Sequence, residues 1–340
     1  MNTRIALLGV AHVHARSYAE LLSKRSDVEV LGFTEDDPQM AAEFAHHTGL
    51  RHATAAELLA LKPHGVIVCT VNAQRLQPVE WAASTGAHVL CEKPIATTEA
   101  DAQTMRRACE AAGVQFVTAF PARFSPAVAS LAQQLRSGQL GSVLAYSGIN
   151  HSVSPDREQP WFSDAVQAGG GAGMDHIVHL ADLLRYFGER PTDVYAVLRP
   201  VPEWVVAQHS EIDAAGLVTL RLASGASATI DCSWSRPQGY PRWGQLRLDV
   251  TATQGLLSLD VFADHLHVTR GAYQWQGYGE DLNARMLGDF IQVCRTGRAG
   301  RSNWADGYAA LRVVRAAYAS SQRGEAVGLD AGGNEDDLGS

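Results

Sequence analysis

The first 120 residues repeat one pattern, a short and mainly apolar run followed by a longer amphipathic stretch. The runs fall at residues 5–10, 28–33, 65–70, 88–91 and 114–118. Each is too short for a helix and lacks polar alternation, so each reads as a strand buried on both faces. Helix signals lie between them. A helix is expected over residues 12–24. Asp37-Pro38 opens another, with proline in the first turn, where its missing N–H costs nothing. Thr54-Ala55-Ala56-Glu57 is a capping box, Thr98 starts a further helix, and Gly113 ends it. Strands alternating with helices in this way imply a parallel, doubly wound α/β sheet.

After about residue 140 the period changes. Ala226, Ala228, Ile230, Cys232 and Trp234 alternate with small polar residues, and Leu246, Leu248 and Val250 alternate with charged ones. Period 2 with one apolar face predicts a largely antiparallel sheet covered by helices on one side only. Helices are expected at about 172–187, 282–296 and 304–320. A chain of 340 residues also exceeds what one core usually holds, roughly 250–300. The division expected is a dinucleotide-binding Rossmann domain over 1–122 and an α+β domain for substrate and oligomerisation over 123–330. The Gly- and acid-rich tail at 331–340 is expected to be disordered.

Charge narrows the function classes. Lys and Arg number 28 against 36 Asp and Glu, a net charge of −8. Such a chain lacks the broad positive field that binds nucleic acid or anionic membrane, so neither partner is expected. No apolar stretch approaches a membrane span, and the N-terminus carries no signal peptide. Five cysteines with no C-x-x-C spacing read as reduced thiols in a cytoplasmic protein.

Gly9-Val10-Ala11-His12-Val13-His14 lies where a dinucleotide-binding fold carries its glycine-rich turn. Gly9 supplies the tight turn and Ala11 is small enough for close backbone approach, while His14 replaces the third small residue. Gly9, Ala11, His12 and Val13 are therefore candidates for the cofactor site. Glu35, at the end of the second strand, suits the ribose hydroxyls and repels a 2′-phosphate, which favours NAD over NADP. It reads equally as part of a solvated acidic turn. His12 and His14 have no third ligand near them in sequence, so no metal is expected there.

Glu92-Lys93-Pro94 ends a strand at the carboxyl edge of the parallel sheet, where ligands bind in open α/β folds. Asp175 and His179 are four apart on the helix after Gly169-Gly170-Gly171 and share a face. Such a carboxylate can orient an imidazole that accepts an alcohol proton. A capping aspartate and a satisfied histidine are the plain alternative. Asp175, His176 and His179 also form a possible metal set, disfavoured because His176 is rotated by ~100° from Asp175.

These pieces together resemble the Gfo/Idh/MocA family of NAD(P)-dependent oxidoreductases, named for glucose-fructose oxidoreductase, inositol dehydrogenase and rhizopine catabolism. The resemblance rests on Cys91-Glu92-Lys93-Pro94-Ile95-Ala96 and on residues 169–184, with Thr70-Val71-Asn72, Arg123-Phe124-Ser125-Pro126, residues 138–141 and Asp306-Gly307. It implies that Lys93 contacts nicotinamide and substrate, that His179 is the general base, and that Asp175 is its partner. It implies that Thr70, Asn72 and Glu92 line the dinucleotide site and that Arg123 lies near the nicotinamide. The activity implied is hydride transfer between a secondary alcohol of a sugar, cyclitol or related polyol and the nicotinamide cofactor. A homodimer or homotetramer packed through the open sheet face is implied as well. A nucleotide-sensing protein of the same fold and a redox-assisted glycoside cleavage with tightly held NAD are the rivals. His151 and Trp161 are candidates for the substrate wall, although Trp161 also reads as core.

Overall fold

The computed structural model describes residues 2–155, 159–200, 212–237, 240, 244–263, 265–270, 272–277 and 279–329. The tail expected to be disordered lies outside the described residues.

The first sheet is built from β1 (Thr3–Leu8), β2 (Val28–Thr34), β3 (Gly65–Val68), β4 (His88–Cys91) and β5 (Phe116–Thr118). It is parallel throughout, in the order β2-β1-β3-β4-β5. Its crossovers are α1 (Ala15–Ser23), α2 (Pro38–Thr48), α3 (Ala55–Ala60), α4 (Leu76–Ser84) and α5 (Glu99–Ala112). The caps read from sequence are formed. The Asp37 side chain accepts from Gln39 and Met40, Thr54 and Glu57 close a capping box, and Gly113 follows α5 in the left-handed conformation. The strand order reverses between β1 and β3, which opens a crevice at their carboxyl ends.

The helix expected from residue 12 begins instead at Ala15. The His12 amide donates to the Cys69 carbonyl beyond β3, at 2.9 Å. That bond pins the turn to the neighbouring strand and delays the helix by three residues.

After α6 (Pro126–Arg136) the chain enters β6 (Val143–Val153), the short α7 (Ala165–Ala168) and then α8 (Ala172–Tyr186). β7 (Pro191–Arg199), β8 (Ala215–Leu222), β9 (Ser227–Arg236), β10 (Gly244–Ala252) and β11 (Gly255–Asp260) follow, with a hairpin of β12 (His265–Arg270) and β13 (Ala272–Gly277). α9 (Leu282–Thr296), α10 (Trp304–Arg323) and β14 (Val327–Gly328) close the described chain. The second sheet has seven strands in the order β11-β10-β6-β9-β8-β7-β14, with β6 and β9 parallel and every other pair antiparallel. Val194, Val218, Leu220, Ile230, Cys232, Trp234, Leu246 and Leu248 are buried on its helix side. Tyr195, Val197 and Leu217 are exposed on the other.

The division at residue 122 does not follow the packing. Met286, Leu287, Phe290 and Ile291 of α9 share a core with Ile5, Leu7, Phe33, Ile67 and Leu90 of the first sheet. The chain therefore returns from the second sheet to cover the first. The start of α10 is tied to β5, since Ser302 Oγ donates to the Thr118 carbonyl and Thr118 Oγ1 to that of Asn303. These contacts lock the two sheets around α8.

Candidate active site

The crevice at the switch point is floored by the Gly9 turn and Thr70. Gly9 has φ of 76°, and a Cβ there would lie 2.3 Å from Thr70 Cγ2 and 2.9 Å from the Thr70 Cα. Only glycine satisfies both demands. Thr70 Oγ1 and Asn72 Oδ1 are buried without a hydrogen-bond partner. Unpaired buried polar groups are costly; the Thr70 hydroxyl, packed against the Gly9 turn, can donate to a ligand there, and the N-terminus of α1 beyond the same turn favours an anion. A dinucleotide fits this donor and acceptor set. The Glu35 carboxylate accepts from Val10 at 3.1 Å and from its own turn at Asp36 and Asp37. It thus stands beside the β1–α1 turn.

Beyond β4 the chain leaves the ladder at Glu92-Lys93-Pro94, with a cis Lys93–Pro94 peptide. Lys93 Nζ donates to Asp175 Oδ1 at 2.6 Å, and both side chains are buried. Asp175 Oδ2 accepts from Trp234 Nε1 at 3.1 Å and lies 3.2 Å from His176 Nε2. Asp175 sits in the first turn of α8. The N-terminus of that helix is capped by Asp213, whose carboxylate accepts from Gly171 at 3.0 Å and Gly173 at 2.6 Å. A Cβ on Gly171 would lie 1.7 Å from the Asp213 carbonyl oxygen, so the glycine turn is what lets this cap close.

Charge is arranged in opposite senses around the pair. Burial alone would raise the Asp175 carboxyl, but Lys93 and His176 hold it well below the usual carboxylate range. Burial lowers the His179 imidazole well below its ordinary value, and the Lys93 charge pushes the same way while Asp175 opposes. His179 is therefore neutral at neutral pH and able to accept a proton. Asp175 and His179 share a face of α8, yet no hydrogen bond joins them among the described residues. The carboxylate is spent on Lys93, Trp234 and His176, so its influence on His179 is electrostatic.

Glu92 is the centre of a second cluster. It is 1% exposed and accepts from Tyr18 at 2.5 Å and from its neighbour's amide at 3.0 Å, and His14 Nδ1 lies 2.9 Å from it. His12 Nε2 is 3.7 Å away. Burial would raise the Glu92 carboxyl, but His12, His14 and Lys93 hold it well below the usual range. The missing third partner for His12 and His14 thus comes from 78 residues downstream, and one ligand atom from each of the three falls within 4.8 Å. The bonding favours shared protons over an ion. His12 Nδ1 accepts the His14 amide at 3.4 Å, which puts the ring proton on Nε2, facing Glu92. A ligating imidazole has the reverse pattern. Arg75 and Lys93 add positive charge at the same place.

Three candidates lie elsewhere. Arg123 is buried against Asp182, with Nε 3.0 Å from each carboxylate oxygen, and against Asp306 at 3.0 Å. Its donors are spent on joining three segments of the fold. His151 lies on the open face of the second sheet, between Asp231 at 2.8 Å and Arg236 at 3.3 Å. Its neighbours Asn150 and Ser152 face α8 instead and meet His176. The period-2 alternation of β6 decides this. Trp161 is 6% exposed, stacks on Phe162 and donates to the Ala11 carbonyl at 2.9 Å, so it braces the dinucleotide turn. Trp234, which holds Asp175, was missed from sequence. Its signal is a tryptophan at the end of an apolar strand face, where the indole N–H must find a partner.

Comparison with known proteins agrees with this fold. Residues 3–120 match the oxidoreductase family with an NAD-binding Rossmann fold, and residues 128–258 match the GFO/IDH/MocA C-terminal domain. The chain is 27% identical over 324 residues to the rhizopine catabolism protein MocA of Rhizobium meliloti, covering 92% of this chain and 93% of that one. It is 30% identical over 204 residues to levoglucosan dehydrogenase of Pseudarthrobacter phenanthrenivorans, 58% of this chain and 52% of that protein, so the match spans about half of that relative's length. The crystal structure of GenD2 from gentamicin A biosynthesis, in complex with NAD, superposes with a TM-score of 0.86 at 22% identity over 97% of both chains, a likeness of fold. With a Rossmann half and a C-terminal half each matched in order, the chain belongs to the Gfo/Idh/MocA family of NAD-binding oxidoreductases.

Proposed function

We propose that this enzyme oxidises a secondary alcohol of a sugar, cyclitol or related polyol, reversibly, with His179 as general base. The observation that carries the reading is the Lys93–Asp175 ion pair beside a half-buried histidine that burial keeps neutral. NAD, bound at the β1–α1 turn, supplies the hydride acceptor. His179 takes the hydroxyl proton, help worth ~10²–10⁴ in rate. Lys93 stabilises the negative charge that develops on the alcohol oxygen. Asp175 holds the ammonium in place and offers its charge to the imidazolium that forms.

Relatives named for levoglucosan, myo-inositol and D-apiose support the substrate class. The charge of Glu35 beside the turn supports NAD over NADP. The five cysteines are free, which supports a reducing, cytoplasmic setting. Among the described residues no helix is long and apolar enough to cross a membrane. The open sheet face, where Val197 and Leu217 are paired across β7 and β8, supports a homodimer or homotetramer. Sedimentation velocity of Leu217→Asp against the parent chain tests this, and an unchanged mass removes that face as the interface.

The activity is tested by following NADH formation with levoglucosan, myo-inositol, D-xylose and D-glucose, with NAD and NADP in parallel. Turnover abolished by His179→Ala in a folded variant is expected. Full activity in that variant sinks the assignment.

A further inference from the structure

Arg75 stands at the start of α4 and is fully buried. A buried guanidinium is expensive, and apolar side chains of similar volume often serve stability as well or better. Its bonds show what it holds. Nη1 donates to the Glu92 carbonyl at 2.8 Å and also to the Pro94 carbonyl. Nε and Nη2 have no partner among the described residues. The hydrogen bonding of Arg75 therefore goes to the two carbonyls that flank Lys93.

Those carbonyls lie where the sheet has run out. β4 ends at Cys91, and the last ladder contacts are Ala119 to the Cys91 carbonyl and the Glu92 amide to the Val68 carbonyl. The turn beyond has no strand to pair with. Lys93 gives its own amide to Glu92 Oε2 at 3.0 Å, and Tyr18 and His14 anchor that carboxylate. The backbone of one lysine is thus held at its N–H by a carboxylate and on either side by a single guanidinium nitrogen.

We propose that Arg75 is a positioning residue for the reaction, holding the Lys93 turn so that Nζ stays on Asp175 and beside His179. This rests on the catalytic reading of Lys93 and His179 above. A displacement of ~1 Å from productive geometry costs ~10²-fold in rate. Such a displacement also carries the Lys93 charge away from His179. The groups that face this imidazole are Lys93 from the β4 turn, Asp175 and His176 from α8, and His14 from the β1–α1 turn. Lys93 is the strongest of them in lowering its proton affinity, so a shifted lysine makes His179 more basic.

The test uses the full chain, labelled with ¹³C-histidine, with His179→Gln to identify the resonance. The imidazole is titrated in the parent, Arg75→Lys, Arg75→Met and Lys93→Met. Arg75→Lys keeps the charge, but its ammonium falls short of the Nη1 position that meets both carbonyls, and it decides the matter if Arg75→Met does not fold. In folded Arg75 variants the His179 midpoint is expected to rise, with NADH affinity changed less than ~3-fold and kcat on the best alcohol of the panel lowered ~10²-fold. A parent-like midpoint and kcat in Arg75→Lys, alongside a shifted midpoint in Lys93→Met, overturn the positioning role alone. If Lys93→Met changes neither midpoint nor turnover, the catalytic reading falls and this proposal falls with it.

Discussion

Helix α8 carries two buried carboxylates seven residues apart, about two turns or ~10 Å along its axis, and they are used in opposite ways. Asp182 is enclosed by Arg123, which also reaches Asp306, and Asp306 in turn takes Arg185 at 2.8 Å. The two carboxylates hold the Arg123 guanidinium above its ordinary value, so it stays charged. Asp175 is held by Lys93, His176 and Trp234, but the cluster around it is unfinished. His179 is half-buried beside it, and His176 Nδ1 is unpartnered. The saturated cluster has little left to offer a ligand. Burial raises the Asp182 carboxyl to about 7 in spite of Arg123, whereas Asp175 is held well below the carboxylate range, and only the cluster with unspent bonding capacity can act on something that arrives.

Substitution at the unfinished end is expected to have the largest effect on rate. Lys93→Met and His179→Ala should each lower turnover by ~10²–10⁴ with the circular dichroism unchanged. At the saturated end the loss should fall on stability. Arg123→Met strands the buried Asp182, while Asp306 keeps Arg185, and should cost about 3–5 kcal/mol in urea unfolding, with kcat per folded molecule retained. If Arg123→Met instead loses turnover at full stability, the contrast between the clusters is wrong.

The pH dependence sharpens the same contrast. His179 and His12 are held neutral in the fold, both chiefly by burial. Below about pH 6.5 the unfolded chain binds protons that the fold refuses, so stability falls as pH drops through that value. Asp175 and Glu92 have lowered native values, so their stabilisation is present above the ordinary carboxylate range and lost as pH falls through the native ones. Asp182 works the other way, because burial raises it to about 7 and the fold takes up that proton before the unfolded chain does. Two histidines against one carboxyl should leave a net decline in the urea midpoint from pH 7 to 5. In the kcat/KM profile for alcohol oxidation, the acid limb of the parent should lie well below pH 6.5. Lys93→Met should move it up, because the charge that lowers His179 is gone. The smallest expected effect is at Glu35. Glu35→Ser removes the carboxylate beside the turn and should raise kcat/KM with NADP relative to NAD by about tenfold, or ~1.4 kcal/mol. An unchanged ratio would mean that Glu35 serves only its own acidic turn.

Periodicity alone determined the parallel sheet, the change to an antiparallel sheet with one covered face, and helix α8 to within a residue at its end. These are local properties, because the period of apolar residues is set by the geometry of a single element. Glu92, Lys93, Asp175 and His179 were legible for a related reason, since a strand end and one helix face put them in place. The tertiary structure decided what no local pattern contains. It gave the Asp175 carboxylate to Lys93 and Trp234 rather than to His179, brought Glu92 to His12 and His14, and spent Arg123 on Asp182 and Asp306. It turned His151 to the open face and set Arg75 across the Lys93 turn. Each of these depends on which side chain arrives from tens of residues away to satisfy a buried polar group. That competition is settled by packing and desolvation in three dimensions, and the sequence records only its participants.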